Sequence, residues 1–254
     1  MSRVVFAANW KMHHGPAAGR SLVRAVLARC RPQEGRDLLF FPPAPTLPAV
    51  AEEVKGRRDV GVGVQNVHWE AKGAFTGEVS AGIAAEAGAT WALVGHSDRR
   101  HKFGETDEQT GKKVVAVRAA GLSPMLCVGE LIEERRAGKT EEVVLRQLAA
   151  GLGGLDAAAT ARVVIAYEPV WAIGTGVNAT PADAATVHRT IRAWLQRRMP
   201  PATRATVLYG GSVSPANAAA LLAEEEIDGF LVGGASLEAE SWLRLLETAK
   251  PARS

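Results

Sequence analysis

Val163-Val164-Ile165-Ala166-Tyr167-Glu168-Pro169-Val170-Trp171-Ala172-Ile173-Gly174-Thr175-Gly176 joins an apolar run to a carboxylate and then to a proline. The run Val163 to Tyr167 reads as a buried strand. Pro169 has no backbone N–H to give to a ladder, so the chain leaves the strand there. Trp171 and Ile173 would sit at the tip of the loop that follows. Large apolar side chains there suit a segment that closes over a ligand and expels water. The expectation is a base on a rigid strand end, followed by a mobile lid. The plain alternative is a surface loop with a scattered Glu.

Seven further apolar runs accompany this one: Val4–Ala8, Leu38–Phe41, Val60–Val64, Trp91–Val94, Pro124–Val128, Thr206–Tyr209 and Gly229–Val232. They are continuous rather than alternating, as in strands covered on both faces. Helical segments separate most of them. Ser21 to Leu27 is one, and Thr110 to Ala120 is another, with Val114, Val117 and Arg118 at helical spacing. Thr180-Pro181-Ala182-Asp183 starts a helix with a hydroxyl cap, a first-turn proline and a carboxylate near the positive end. Val187, Ile191, Trp194 and Leu195 give that helix one apolar face. Ser214-Pro215 is expected to open another helix, with Leu221 and Leu222 inside it.

Strand then helix, repeated about eight times over a chain of 254 residues, predicts a closed (β/α)8 barrel spanning 1–254 as one domain. A doubly wound open sheet is the competing architecture. No Gly-x-Gly-x-x-Gly follows the first run, which weighs against its dinucleotide-binding version.

Composition narrows the function. Hydrophobic residues make up 47% of the chain, enough for a large core. The net charge of +3 is mild, and Arg99-Arg100-His101-Lys102 is balanced by Glu105, Asp107 and Glu108. That cluster reads as a solvated face, and nucleic-acid binding is not expected. Cys30 and Cys127 are too few for a disulfide framework and suit a reducing compartment. No signal-peptide run or membrane-length apolar run appears, so a cytoplasmic protein without a membrane partner is expected. No His/Cys/carboxylate cluster has metal-ligand spacing, so neither metal nor cofactor is expected.

Barrels carry chemistry at the C-terminal ends of their strands. The residues after the runs are Asn9-Trp10-Lys11, Gln65-Asn66, His96-Ser97-Asp98, Gly129-Glu130, Glu168, Gly210-Gly211-Ser212 and Gly233-Gly234. One rim would therefore gather a lysine, a histidine, a glutamate and several glycine turns. Taken singly, each has a structural explanation.

These motifs, together with Gly73-Ala74-Phe75-Thr76-Gly77-Glu78, Cys127-Val128-Gly129-Glu130, Tyr209-Gly210-Gly211-Ser212-Val213 and Gly233-Gly234-Ala235-Ser236-Leu237, resemble the triosephosphate isomerases essentially end to end. The resemblance implies a TIM barrel that interconverts dihydroxyacetone phosphate and D-glyceraldehyde 3-phosphate, with no coenzyme. It implies Glu168 as base, His96 as electrophile, and Lys11 with Asn9 as stabilisers of charge near the phosphate. This family is the standard example of an imidazole kept neutral at a helix N-terminus, so that part of the His96 role comes with the resemblance. Lys11 and Asn9 sit two apart, so an extended backbone would point both the same way. The amides of Gly174, Ser212, Gly233 and Gly234 are implied as the phosphate grip. The 65–80 loop, with Trp69, Phe75 and Thr76, is implied to enter a second copy of the chain, giving a homodimer. Cys127 is expected to pack near the site without a chemical role.

The pattern departs from the family in three places. Asp98 stands where Glu is usual and is expected to fall short of the Lys11 ammonium, unless a backbone adjustment or a water closes the gap. His13 stands where Asn is usual. Val177-Asn178-Ala179 replaces the commoner Lys-Thr-Ala at the lid exit. Two other functions stay open at this point: an isomerase of a four-carbon sugar phosphate, and a non-catalytic phosphate-binding barrel.

Overall fold

The computed structural model describes residues 3–174 and 179–248. Strands β1 (Val4–Asn9), β2 (Arg36–Phe41), β3 (Val60–Val64), β4 (Trp91–Val94), β5 (Ser123–Val128), β6 (Val164–Tyr167), β7 (Val207–Tyr209) and β8 (Gly229–Val232) form one closed barrel in sequence order. Neighbours pair in parallel, and β1 closes on β8 with Val5 opposite Gly229. The closed (β/α)8 barrel predicted from the runs is present, with strand ends differing from the runs by at most two residues.

Successive side chains on a strand point to opposite faces, and here both faces are dry. Val5, Ala7, Leu39, Phe41, Leu93, Met125, Cys127, Val164, Ala166, Leu208 and Leu231 fill the barrel interior. Their alternates, such as Phe6, Ala8, Phe40, Ile165 and Phe230, face the surrounding helices. Phe6 meets Phe230 edge-on at 5.9 Å and Trp242 at 6.3 Å. Closure depends on one glycine. Gly229 has φ of +139°, and a Cβ there would lie 1.9 Å from the Val5 carbonyl oxygen.

The outer helices begin where local chemistry satisfies their first N–H groups. In Pro181–Gln196, Thr180 Oγ1 accepts from the Asp183 amide at 3.1 Å, as expected. Asp107–Ala119 starts with a reciprocal cap between Thr106 and Gln109 that was not anticipated. The expected helix at Ser214-Pro215 starts later, at Ala218. Asn217 folds back, accepting from the Ser214 amide at 2.8 Å and donating to the Ser212 carbonyl at 3.1 Å. Those bonds hold residues 214–217 as a turn, because the side chain competes with helical pairing. No helix among the described residues is long and apolar enough to cross a membrane.

His188, on the helix Pro181–Gln196, is fully buried against Tyr167. Its Nδ1 lies 3.0 Å from the Glu226 carbonyl, which requires Nδ1–H as donor. Burial pushes its pKa down to about 4. The unfolded chain therefore takes up this proton at higher pH than the folded one. Stability from this group is complete above about pH 6.5 and is lost as pH falls toward 4, by about 3 kcal/mol. Urea titrations at pH 7 and pH 4 should show His188→Asn losing that much less stability than the parent over this interval. Equal losses would contradict the assignment.

Candidate active site

Strand parity brings two of the expected side chains to the barrel mouth. Asn9 continues the inward series Val5, Ala7 on β1, and Glu168 continues Val164, Ala166 on β6. His96 has the wrong parity, because Leu93 on β4 faces inward. Gly95 corrects this with a left-handed backbone, φ +71°. Its N–H donates to Glu105 Oε1 at 3.1 Å, and its carbonyl accepts from Arg100 Nε at 2.7 Å. Arg100 also pairs with Asp107 at 2.6 Å, and its side chain is only 7% exposed. The reading of Arg99 to Lys102 as a solvated face therefore fails at Arg100, which is tied into the strand ends. Glu105 likewise is buried, beside Lys113 at 2.5 Å.

Glu168 is 2% exposed, and both its oxygens accept. Oε2 takes the Ser97 amide at 2.9 Å, and Oε1 lies 2.9 Å from His96 Nε2. The Asp98 amide donates to His96 Nδ1 at 3.1 Å, so Nδ1 carries no proton. The Asp98 carboxylate stays 3.6 Å from Nδ1, too far for a hydrogen bond. The geometry therefore specifies a neutral ring with its proton on Nε2, directed at Glu168. Burial alone would raise the pKa of the Glu168 carboxyl. The hydrogen bonds from His96 and the Ser97 amide, with the Lys11 charge, outweigh burial and leave it below the ordinary carboxylate value.

Two glycines make room for this carboxylate. A Cβ at Gly129 would lie 1.7 Å from the Glu168 carbonyl oxygen, and one at Gly210 would lie 2.8 Å from Glu168 Cγ. Cys127 lies fully buried inside the barrel, where burial and the nearby Glu168 charge raise its thiol pKa well above normal.

Lys11 and Asn9 share the hollow, but not through extended backbone. Lys11 has φ of +51°, and its amide donates to Asn9 Oδ1 at 3.1 Å. The side chain of Asn9 thus holds the turn that aims Lys11. Asp98 does reach the lysine: Oδ2 lies 3.0 Å from Lys11 Nζ, and Oδ1 lies 2.7 Å from Lys102. The expected shortfall of the shorter side chain does not occur. Partial burial opposes the charge on Asp98, but the two ammonium groups hold its pKa down to about 2.

The mouth encloses a hollow of about 340 Å³ lined by Asn9, Lys11, His96, Glu168, Gly174, Gly210, Ser212, Gly233 and Gly234. All eight expected site residues thus meet in one place. Gly234 opens a short 3-10 turn, Gly234–Ser236, capped by Gly233. First-turn N–H groups of this kind lack partners inside their own helix. Lys11 leans over them: a Cβ at Gly233 would lie 3.4 Å from its Cε. Ser212 differs, since its amide donates to the Ala172 carbonyl at 3.1 Å. Gly174 lies at the edge of the described chain with φ of +68°. Thr175 and Gly176, expected in the Gly-Thr-Gly close of the loop, and Val177 and Asn178, expected at its exit, lie outside the described residues.

Glu130 had no assigned role from sequence, yet it anchors the loop that follows β6. It is fully buried and accepts from Tyr167 Oη at 3.1 Å and from Trp171 Nε1 at 2.9 Å. Arg135 stacks over the Trp171 ring at 4.5 Å. The cues in sequence were its place after β5 and its membership of the Cys127-Val128-Gly129-Glu130 motif. In the 65–80 loop, Gln65 donates to the Lys11 carbonyl at 2.9 Å and fixes the loop beside the lysine. The aromatics pack on one another, with His68 4.2 Å from Trp69 and 4.3 Å from Phe75. Phe75 nonetheless remains 42% exposed, and Met12 beside Lys11 is 94% exposed. His13 is exposed and lines the same hollow.

A parallel barrel with converging acid, imidazole and ammonium groups at its C-terminal rim defines an enzyme of the (β/α)8 class. The family model described as triosephosphate isomerase matches residues 4–249. A triosephosphate isomerase of Herpetosiphon aurantiacus is 48% identical over 97% of this chain and 99% of its own length. Those of Symbiobacterium thermophilum and Thermus thermophilus are 45% and 47% identical, over 100% and 98% of this chain and all of theirs. The chain belongs to the triosephosphate isomerase family.

The Asp98 carboxylate is the counter-ion that holds the Lys11 ammonium in place. Asp98→Ala should lower kcat/KM by about tenfold while far-ultraviolet circular dichroism stays unchanged, a cost of about 1.4 kcal/mol in transition-state stabilisation. Parent-like kcat/KM would show that Lys11 needs no such partner.

Proposed function

We propose that Glu168, His96, Lys11 and Asn9 interconvert dihydroxyacetone phosphate and D-glyceraldehyde 3-phosphate through an enediolate. The observation that carries this reading is the meeting of Glu168, His96 and Lys11 around one hollow whose remaining wall is glycine-rich. The carboxylate removes a proton from the carbon beside the carbonyl. The C–H electron pair becomes the new C=C bond, and the carbonyl π pair moves to oxygen. His96 Nε2–H donates to that oxygen, and Lys11 and Asn9 stabilise the developing charge. The proton of the neighbouring hydroxyl passes through His96 to the former carbonyl oxygen, and return of the abstracted proton to the former carbonyl carbon gives the isomer. One carbon is oxidised as the other is reduced, so the chemistry balances without an external oxidant or reductant.

The amides of Gly174, Ser212, Gly233 and Gly234 are the proposed phosphate grip. Ser212 can join it only by releasing Ala172, which lies in the first turn of the proposed lid. Phosphate binding and lid movement are therefore coupled, and binding energy from the phosphate drives closure. Closure also shields the enediolate from loss of phosphate. Glu168 must leave its resting hydrogen bonds to reach carbon. That release restores the basicity that those bonds suppress.

A homodimer through the 65–80 loop is part of the same proposal. Exposed Met12 and Phe75, beside a loop anchored to Lys11, support it. The proposed compartment is the cytoplasm, which suits two free, buried cysteines and the glycolytic role of the family. Nothing observed favours the four-carbon substrate or a non-catalytic barrel, since base, imidazole and lysine are all in place.

A coupled assay should find kcat of Glu168→Gln at least about a hundredfold below the parent, the lower end for a lost general base. Lys11→Met should lose a comparable factor and raise KM. Turnover near the parent value in either variant would remove that residue from its role. Sedimentation equilibrium should give twice the chain mass, and Phe75→Ser should shift the balance toward single chains. A parent sedimenting as one chain would contradict the dimer.

A further inference from the structure

Gln147 lies on the helix Thr140–Leu152, outside the barrel and away from the hollow. It is nonetheless 4% exposed and reaches inward to the end of β5. Its Oε1 accepts from the Gly129 amide at 2.7 Å, and its Nε2 donates to the Gly129 carbonyl at 3.1 Å. One planar amide thus satisfies both backbone groups of one residue, as a neighbouring strand would.

Of the two glycines beside Glu168, Gly129 is the closer to its backbone. The β5–β6 ladder continues through the Glu168 amide, which donates to the Val128 carbonyl at 2.8 Å. Immediately beyond, a Cβ at Gly129 would sit 1.7 Å from the Glu168 carbonyl oxygen. Any shift of the Gly129 peptide therefore moves the Glu168 backbone or opens a gap beside it. The next residue, Glu130, accepts from Tyr167 and Trp171 on either side of the base.

We propose that Gln147 is a positioning residue for the reaction: its two hydrogen bonds to Gly129 fix the backbone wall against which Glu168 is set. Gln147 touches no reacting atom. The proposal rests on the reading of Glu168 as the base.

The test is steady-state kinetics and melting temperature for Gln147→Met, Gln147→Glu, Leu152→Ala and Glu168→Gln. Methionine keeps the length and loses both bonds. Glutamate keeps the acceptor for the Gly129 amide and loses the donor, which offers a second reading should the methionine variant not fold. Leu152, on the same helix, lines a separate hollow with Trp194 and Arg198, so its alanine variant loosens the helix elsewhere. Displacement of a catalytic group by a fraction of an ångström costs about tenfold or more in rate. Gln147→Met should therefore lose about tenfold in kcat with KM within twofold of the parent. Gln147→Glu should lose less, and Leu152→Ala should keep kcat at matched loss of melting temperature. The proposal is overturned if kcat holds in both Gln147 variants, or if Leu152→Ala loses as much. Parent-like turnover in Glu168→Gln would instead overturn the base assignment, so the two failures are separable.

Discussion

A carboxylate inside a barrel must find a donor for each oxygen or give up its charge. Glu168 has two, the Ser97 amide and His96 Nε2, each at 2.9 Å. Removing a charge from water costs several kcal/mol unless hydrogen bonds replace the lost solvation. Here those bonds, together with the nearby Lys11 charge, outweigh burial, and the carboxyl titrates below its ordinary value. The resting arrangement thus stores a charged but weakly basic carboxylate. Its two donors come from the turn that follows β4, so the carboxylate just after β6 and the imidazole after β4 hold each other in place. The tautomer of His96 is set in the same step, because the Asp98 amide occupies Nδ1.

The barrel supplies the distances that this pairing needs. Parallel strands that close on themselves put every C-terminal end on one rim. Parity then selects which side chains face the mouth. Asn9 and Glu168 follow from it directly. His96 does not, and the left-handed Gly95 supplies the missing half-turn. The peptides at these strand ends have run out of sheet partners, and side chains from the helical layer take over. Glu105 and Arg100 hold Gly95, and Gln147 holds Gly129. The helices outside the barrel therefore do more than cover its apolar outer face.

Much of this was legible in the sequence, for reasons specific to each element. Continuous apolar runs mark strands dry on both faces, and all eight lie in or at the ends of observed strands. Pro169 ended β6 where a missing N–H demanded it. The site residues were legible through their place after strands and their resemblance to known motifs. Other features depended on contacts that linear spacing does not carry. Arg100 sits in a charged stretch and looks solvated, yet it spans Gly95, Cys127 and Asp107. Asp98 looked too short for Lys11, but the left-handed turn at Lys11 is where the ammonium starts, and the pair closes at 3.0 Å. The turn at Ser214 was misread because Asn217, three residues on, competes for the backbone. Glu130 belongs to a motif legible in the sequence and Gln147 to none, but what each holds appears only when partners far along the chain converge.

The most direct measurement is a pH titration of the Glu168 carboxylate by isotope-edited infrared difference spectroscopy, using Glu168→Gln to assign the band. The free enzyme should titrate below the ordinary carboxylate value. With a phosphate-bearing enediolate analogue bound, the same group should titrate higher, having left Ser97 and His96 for the drier pocket. A free-enzyme value at or above that of an exposed glutamate, or no rise on binding the analogue, would contradict a base held in check until substrate arrives.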